Sequence, residues 1–160
     1  MSAARTIATL APLLGQDLRL DYTLGGGFFE DADLASARQP GRANARDLEV
    51  AGGIEAMTQA LANRLKTRKG ELAALGHPDY GSRHHELLGQ PNVQRTRDLI
   101  KLYVLQALAA EPRIEKVLTA TVVPNQNPPR DTVRITLALQ IIGASTPLNL
   151  VVPFSLGVAL

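Results

Sequence analysis

The chain is 160 residues long, 45% hydrophobic and 20% charged, which excludes a disordered chain and suits one domain, with or without an arm. It contains no cysteine, which excludes a disulfide framework, a thiolate metal site and a cysteine nucleophile, and fits a cytosolic chain. Aromatic residues reach only 4% and the formal net charge is +2, so neither a base-stacking groove nor an electrostatic footprint for nucleic acid is expected.

Residues 1–15 carry a single arginine, and their apolar run breaks at Pro12, unlike a secretory signal. Residues 16–22 then alternate. Leu18, Leu20 and Tyr22 lie on one side and Asp17, Arg19 and Asp21 on the other, a short strand with one wet face. Gly25, Gly26 and Gly27 break regular structure. No Gly-Lys-Ser/Thr follows them, so they read as a hinge rather than a phosphate loop. Residues 30–46 are rich in Ala, Arg and Asp without an apolar period and read as a loop or flexible arm. An N-terminal strand and arm over 1–47 thus precedes a core domain over 48–160.

Ile54, Met57, Ala60, Leu61 and Leu65 recur at helical spacing, which predicts a helix over about 53–68. Glu55 at its start and Lys66, Arg68 and Lys69 at its end suit the helix dipole, and Gly70 ends it. After a loop over 71–81, Ser82 caps a short helix that stops at Gly89. Asn92 caps the longest helix, about 18 residues, with a buried stripe of Thr96, Ile100, Tyr103, Val104, Ala107 and Leu108. Pro112 terminates it through its restriction on Glu111.

The remainder reads as sheet. Residues 113–123 are β-rich and 124–129 make a turn. Val133, Ile135, Leu137, Leu139 and Ile141 then face one way, with Arg134, Thr136, Ala138 and Gln140 opposite. The alternation resumes in Leu148, Leu150 and Val152 and continues through Phe154, Leu156, Val158 and Leu160. Helices followed by an antiparallel meander give an α+β fold, with the helices packed on the C-terminal sheet. From Ile135 to Leu160 there is no charged residue, and Gly143, Pro147, Pro153 and Gly157 interrupt the run too often for a membrane helix. The chain therefore reads as soluble, without a membrane partner. Two readings of this segment stay open: it folds back on its own core, or it leaves a sheet edge for strand exchange.

Catalytic candidates are sparse. His77, Asp79, His84 and His85 are close in sequence, but adjacent histidines on a helix diverge by about 100° and do not chelate together, so no metal site is assigned. Glu71 and Asp79 would be the carboxylate pair of a glycoside hydrolase, yet loop spacing fixes no separation between them. Ser36, Ser82, Ser145 and Ser155 lack a nucleophile-elbow context. No cofactor is implied. The Glu111-Pro112-Arg113 run stands out because it sets a carboxylate at the negative end of a helix, beside one cation. It reads either as a self-contained corner or as a guanidinium presented to a partner.

Three runs in order carry a family resemblance: Leu65-Lys66-Thr67-Arg68-Lys69-Gly70-Glu71, Gly76-His77-Pro78-Asp79-Tyr80-Gly81-Ser82-Arg83, and Glu111-Pro112-Arg113. Together they resemble the baseplate wedge family of contractile phage tails, which includes phage baseplate protein W and the corresponding subunits of type VI secretion and extracellular contractile injection systems. The resemblance covers residues 47–154. It implies a non-enzymatic subunit made in the cytoplasm and built into the particle's baseplate, with a fold similar to the strand-exchanging part of a sheath subunit. It implies that Glu111, Pro112 and Arg113 dock other wedge proteins. It further implies that the sheath subunit pairs with the C-terminal strands, where Leu137, Leu139, Leu148, Leu150 and Val152 set the register, and that inner tube or hub proteins lie nearby. Some members carry a lysozyme label, so a tail-associated peptidoglycan hydrolase is the alternative.

Overall fold

Residues 12–25, 28–42, 45–126 and 130–157 are described in the computed structural model. Helices and antiparallel strands combine as an α+β chain requires, with a three-stranded sheet at the C-terminal end. The chain divides between Gln59 and Ala60 into two compact units, inside the helix α1 (Ile54–Lys66).

The first unit is made of three two-stranded ribbons. Strand β1 (Gln16–Leu18) pairs with β6 (Val50–Gly52), β2 (Leu20–Gly25) with β3 (Phe28–Leu34), and β4 (Ser36–Arg38) with β5 (Arg46–Leu48), all antiparallel. They meet at three residues whose backbones close a ring. Arg19 N–H donates to Glu49 O at 2.8 Å, Glu49 N–H to Ala35 O at 2.9 Å, and Ala35 N–H to Arg19 O at 2.9 Å. This corrects the expected arm over 30–46, most of which is strand. A ribbon wet on both faces needs no apolar alternation, so the pattern that marks a half-buried strand is missing. The single strand expected over 16–22 is likewise split at Arg19, where the chain crosses from one ribbon to the next. Leu18, placed on the apolar side of that strand, is exposed. Of the glycine triplet, Gly25 closes β2, and Gly26 and Gly27 lie outside the described residues.

In the second unit, Leu61 and Leu65 of α1 are fully buried, as the helical spacing requires. The helix stops at Lys66, two residues before the expected end, and Gly70 takes a left-handed conformation in the turn that follows (φ 86°). Two short 3-10 helices, Ala73–Leu75 and Arg83–Leu87, lead to α2 (Gln94–Ala109). Thr96, Ile100, Val104, Ala107 and Leu108 form its buried stripe, while Tyr103 is half-buried. Neither expected cap is used. Val93 occupies the α2 cap position, and the Asn92 Nδ2 donates to Arg130 O at 2.9 Å. Its Oδ1 instead accepts from Arg97 Nη1 at 2.9 Å. Ser82 makes no cap bond either, since its hydroxyl lies 2.8 Å from His84 Nδ1.

The sheet runs in the order β7 (Ile114–Pro124), β8 (Thr132–Ile141), β9 (Leu148–Ser155), and all its pairs are antiparallel. The inner face of β8 is buried at Val133, Ile135, Leu137, Leu139 and Ile141, and β9 matches it with Leu148, Leu150, Val152 and Phe154. Both alternations read from the sequence therefore face the core. Leu156 is also buried and its carbonyl accepts from Gly89 N–H, so this much of the last segment folds back on its own unit. Val158 and Leu160 lie outside the described residues, as do residues 127–129 of the expected turn. The β7–β8 register shifts twice, at Ile114/Lys116 and Val117/Thr119, whereas β8–β9 runs without a shift.

Candidate functional site

The three sequence runs that carry the resemblance come together in the second unit. Arg68 and Ser82 form a parallel bridge, with Ser82 N–H donating to Thr67 O at 2.9 Å and Lys69 N–H to Ser82 O at 3.2 Å. Gly81 makes this approach possible. It has φ +97°, and a Cβ there would lie 2.7 Å from backbone atoms of Thr67 and Arg68. Lys69 adds an ion pair to Asp79 at 3.3 Å, exposed on the acid's side.

The third run joins through charge. Glu111 follows the end of α2 and is only 5% exposed. Arg113 folds back on it, donating from Nε to Oε1 at 2.6 Å and from Nη2 to Oε2 at 3.1 Å. Arg64, in the last turn of α1, reaches Oε2 at 3.3 Å and stacks its guanidinium 4.7 Å above the Tyr80 ring. Burial pushes the Glu111 carboxyl up, but hydrogen bonds from Arg113 and the charges of Arg113 and Arg64 outweigh it and hold it below the ordinary range. Arg113 is raised in turn, first by its bond to Glu111. The carboxylate at the helix end is thus answered by two guanidinium groups, and the Glu-Pro-Arg run forms a corner held together internally.

Arg64 and Tyr80 were not among the site residues read from the sequence. Tyr80 lies inside the second run and Arg64 directly before the first, so proximity to those runs is the signal that marks them.

The other polar candidates are engaged locally. His84 and His85 stack with ring centroids 4.2 Å apart, and both rings present an edge-to-face contact with Phe154. The rings therefore converge, against the divergence expected of helical neighbours, and both meet the ring of Phe154. One nitrogen of each is engaged: His84 Nδ1 lies 2.8 Å from Ser82 Oγ, and His85 Nε2 lies 2.9 Å from Leu65 O. Burial, followed by the neighbouring His85, lowers His84 to about 3. Glu71 Oε2 accepts from Arg68 N–H at 2.9 Å, closing a turn, and Asp79 is the exposed partner of Lys69. A cleft of about 200 Å³ beside them is lined by Lys69, Asp79, Ser82, Arg83 and Tyr103.

Leu137, Leu139, Leu148, Leu150 and Val152 all point into the core, and they set register among themselves: Leu137 opposes Leu150, Leu139 opposes Leu148, and Val152 opposes Ile135. What the sheet turns outward includes Asn149, Val151 and Arg134. Strand β9 lies at one edge of the sheet, β7 at the other.

Among solved structures, 86% of a candidate tail lysozyme from Geobacter sulfurreducens is matched by 61% of this chain, at 28% identity and a TM-score of 0.53. A chain of the type VI secretion system baseplate complex matches 61% of this chain over 88% of its own length, at 21% identity and a TM-score of 0.47. No curated protein matches. Among the described residues, no helix is long and apolar enough to cross a membrane. The model of the baseplate wedge protein gp25 family matches residues 52–145, a segment that holds all three sequence runs and most of the C-terminal sheet. The chain belongs to the baseplate wedge protein gp25 family, and its role is that of a structural baseplate component.

Proposed function

We propose that this subunit initiates the contractile sheath: a strand of the first sheath subunit adds to the open edge of β9, while the Glu111–Arg113 corner fixes the subunit against other wedge proteins. The observation that carries the reading is the contrast between the two sheet edges. Strand β7 is disturbed by two register shifts, a device that protects an edge, whereas β9 is regular along its pairing with β8 and carries no charge. Strand addition draws its strength from main-chain hydrogen bonds, so it needs an edge rather than a pocket. The five leucine and valine side chains act from inside, anchoring β9 so that its edge is presented in one register. Pro153 lacks an N–H and is tolerated at such an edge, which leaves Leu148 to Val152 as the pairing segment.

The peptidoglycan hydrolase reading rests on the name of one structural neighbour. The carboxylates it would use, Glu71 and Asp79, are held by a turn and by Lys69. We assign no catalytic residue and no cofactor.

The experiment is sheath assembly followed by electron microscopy, with cognate sheath subunit and wedge proteins. Sheath is expected to grow from one end only when this chain is present, and Val151→Lys, on the exposed face of β9, is expected to reduce the number of sheaths. A charge at buried Leu150 would disrupt the core instead. Sheath forming equally well without the chain ends the proposal, and turnover of cell-wall material that disappears in Glu71→Gln favours the hydrolase.

A further inference from the structure

The segment that holds the two histidines touches the end of the last strand at two points. The His84 and His85 rings, stacked 4.2 Å apart, meet the Phe154 ring with centroids at 4.5 and 5.6 Å. Beyond them, Gly89 N–H donates to Leu156 O at 2.7 Å. Phe154 and Leu156 are both buried, so residues 83–89 close over the end of β9.

Positive charge is disfavoured inside this contact. His84 is 1% exposed, its Nδ1 faces the Ser82 hydroxyl, and among the described residues no carboxylate bonds either ring. An imidazolium placed there would lose its water, gain no counter-charge and lie against a second imidazole. The groups around the rings are few. From the end of α1 come Leu65 O, Arg68 and Glu71: burial lowers His85, its bond to Leu65 O raises it, Arg68 lowers it and Glu71 raises it. From α2 comes Tyr103, whose carbonyl lies 3.4 Å from Ser82 Oγ. Strand β9 brings Phe154 and no charge. Arg83 and Glu86, in the segment itself, pair with each other at 2.9 Å. Burial, followed by His85, lowers His84 from 6.5 to about 3. Closure is therefore fully favoured above pH 6.5 and weakens as pH falls toward 3.

We propose that residues 83–89 are a proton-sensitive clasp on the end of β9. It is closed over Phe154 and Leu156 while both imidazoles are neutral. It opens locally, with the sheet and α2 intact, so that His84 reaches water and takes a proton. Opening releases the bonds from His85 Nε2 to Leu65 O and from Gly89 N–H to Leu156 O, while the Arg83–Glu86 pair moves with the segment. The clasp lies beyond the pairing segment Leu148 to Val152, so the inference does not depend on sheath initiation.

The test is amide hydrogen exchange of the full chain, followed by NMR at pH 7 and pH 5 with each rate corrected for its intrinsic value. Protection at Leu88 and Gly89 is expected to fall roughly 25-fold over that interval, the change that titration from 6.5 to about 3 imposes on an opening that exposes His84. At low urea their exchange is expected to stay constant, as local opening requires, while that of Ile100 and Val104 in α2 accelerates. His84→Gln is expected to remove most of the pH effect, leaving the part due to His85. Protection at Leu88 and Gly89 that does not change with pH, a urea dependence equal to that of Ile100 and Val104, or a folded His84→Gln variant with the parent's full pH effect overturns the proposal. If His84→Gln fails to fold, the parent's imidazole is followed instead: a His84 ring still neutral at pH 5 is expected, and one that titrates near 6.5 overturns the proposal.

Discussion

Arg113 holds both carboxylate oxygens of Glu111, two residues back along the chain, with Nε at 2.6 Å from one and Nη2 at 3.1 Å from the other. The pair spans Pro112 and fixes the turn from α2 into β7. Because Glu111 is 5% exposed while the Arg113 side chain is 28% exposed, the two do not contribute equally to stability.

Glu111→Ala strands the guanidinium groups of Arg64 and Arg113 without the carboxylate they share. A loss of about 2–4 kcal/mol is expected, read as a lower denaturant midpoint at unchanged slope. Arg113→Ala leaves Arg64 in place beside the carboxylate and is expected to cost about 1–2 kcal/mol. An unchanged midpoint in Glu111→Ala would show that the corner contributes nothing to the fold.

The same pair predicts a dependence on acid. The folded Glu111 pKa lies below its ordinary 4.5, so the unfolded chain takes up the proton first. This contribution is fully present above the unfolded pKa and is lost as pH falls through the lower, folded value. Thermal melts from pH 6 to pH 3 are expected to fall less steeply in Glu111→Gln than in the parent chain.

His84 acts at higher pH. Its folded pKa of about 3 lies below the ordinary 6.5, so protonation again favours the unfolded chain. Its contribution is complete above pH 6.5 and declines as pH falls toward 3, by on the order of 1–2 kcal/mol at pH 5. Replacing the imidazole in His84→Gln is expected to flatten the melting profile between pH 7 and pH 5, although the variant starts less stable.

At Gly81 the limit is steric. With φ +97° and backbone atoms 2.7 Å from a hypothetical Cβ, Gly81→Ala forces apart the bridge between Arg68 and Ser82. A loss of at least about 1–3 kcal/mol is expected. Gly76→Ala shares the positive φ but meets no atom within 4 Å, so it isolates the conformational part of the cost. Equal midpoints for the two variants would refute the steric account.

Where burial imposes a period, the elements could be read directly. The alternation over β8 and the stripe from Thr96 to Leu108 each report one dry face, and both lie inward in the structure. Strands β4 and β5 left no such trace, because a two-stranded ribbon wet on both faces imposes no period. The caps fail for a different reason. Ser82 and Asn92 have the right chemistry, but His84 and Arg97 compete successfully for the same oxygens.

The sequence by itself determined the α+β class, the core face of the sheet and the oddity of Glu111, because each follows from local period or local charge. It also carried the three runs that mark the family. Only the tertiary structure decided that Arg64 and Tyr80 complete the Glu111 corner, and that Arg19, Ala35 and Glu49 close one ring. Those groupings join residues distant in the chain, and they depend on ring closure and strand register, which no local pattern encodes.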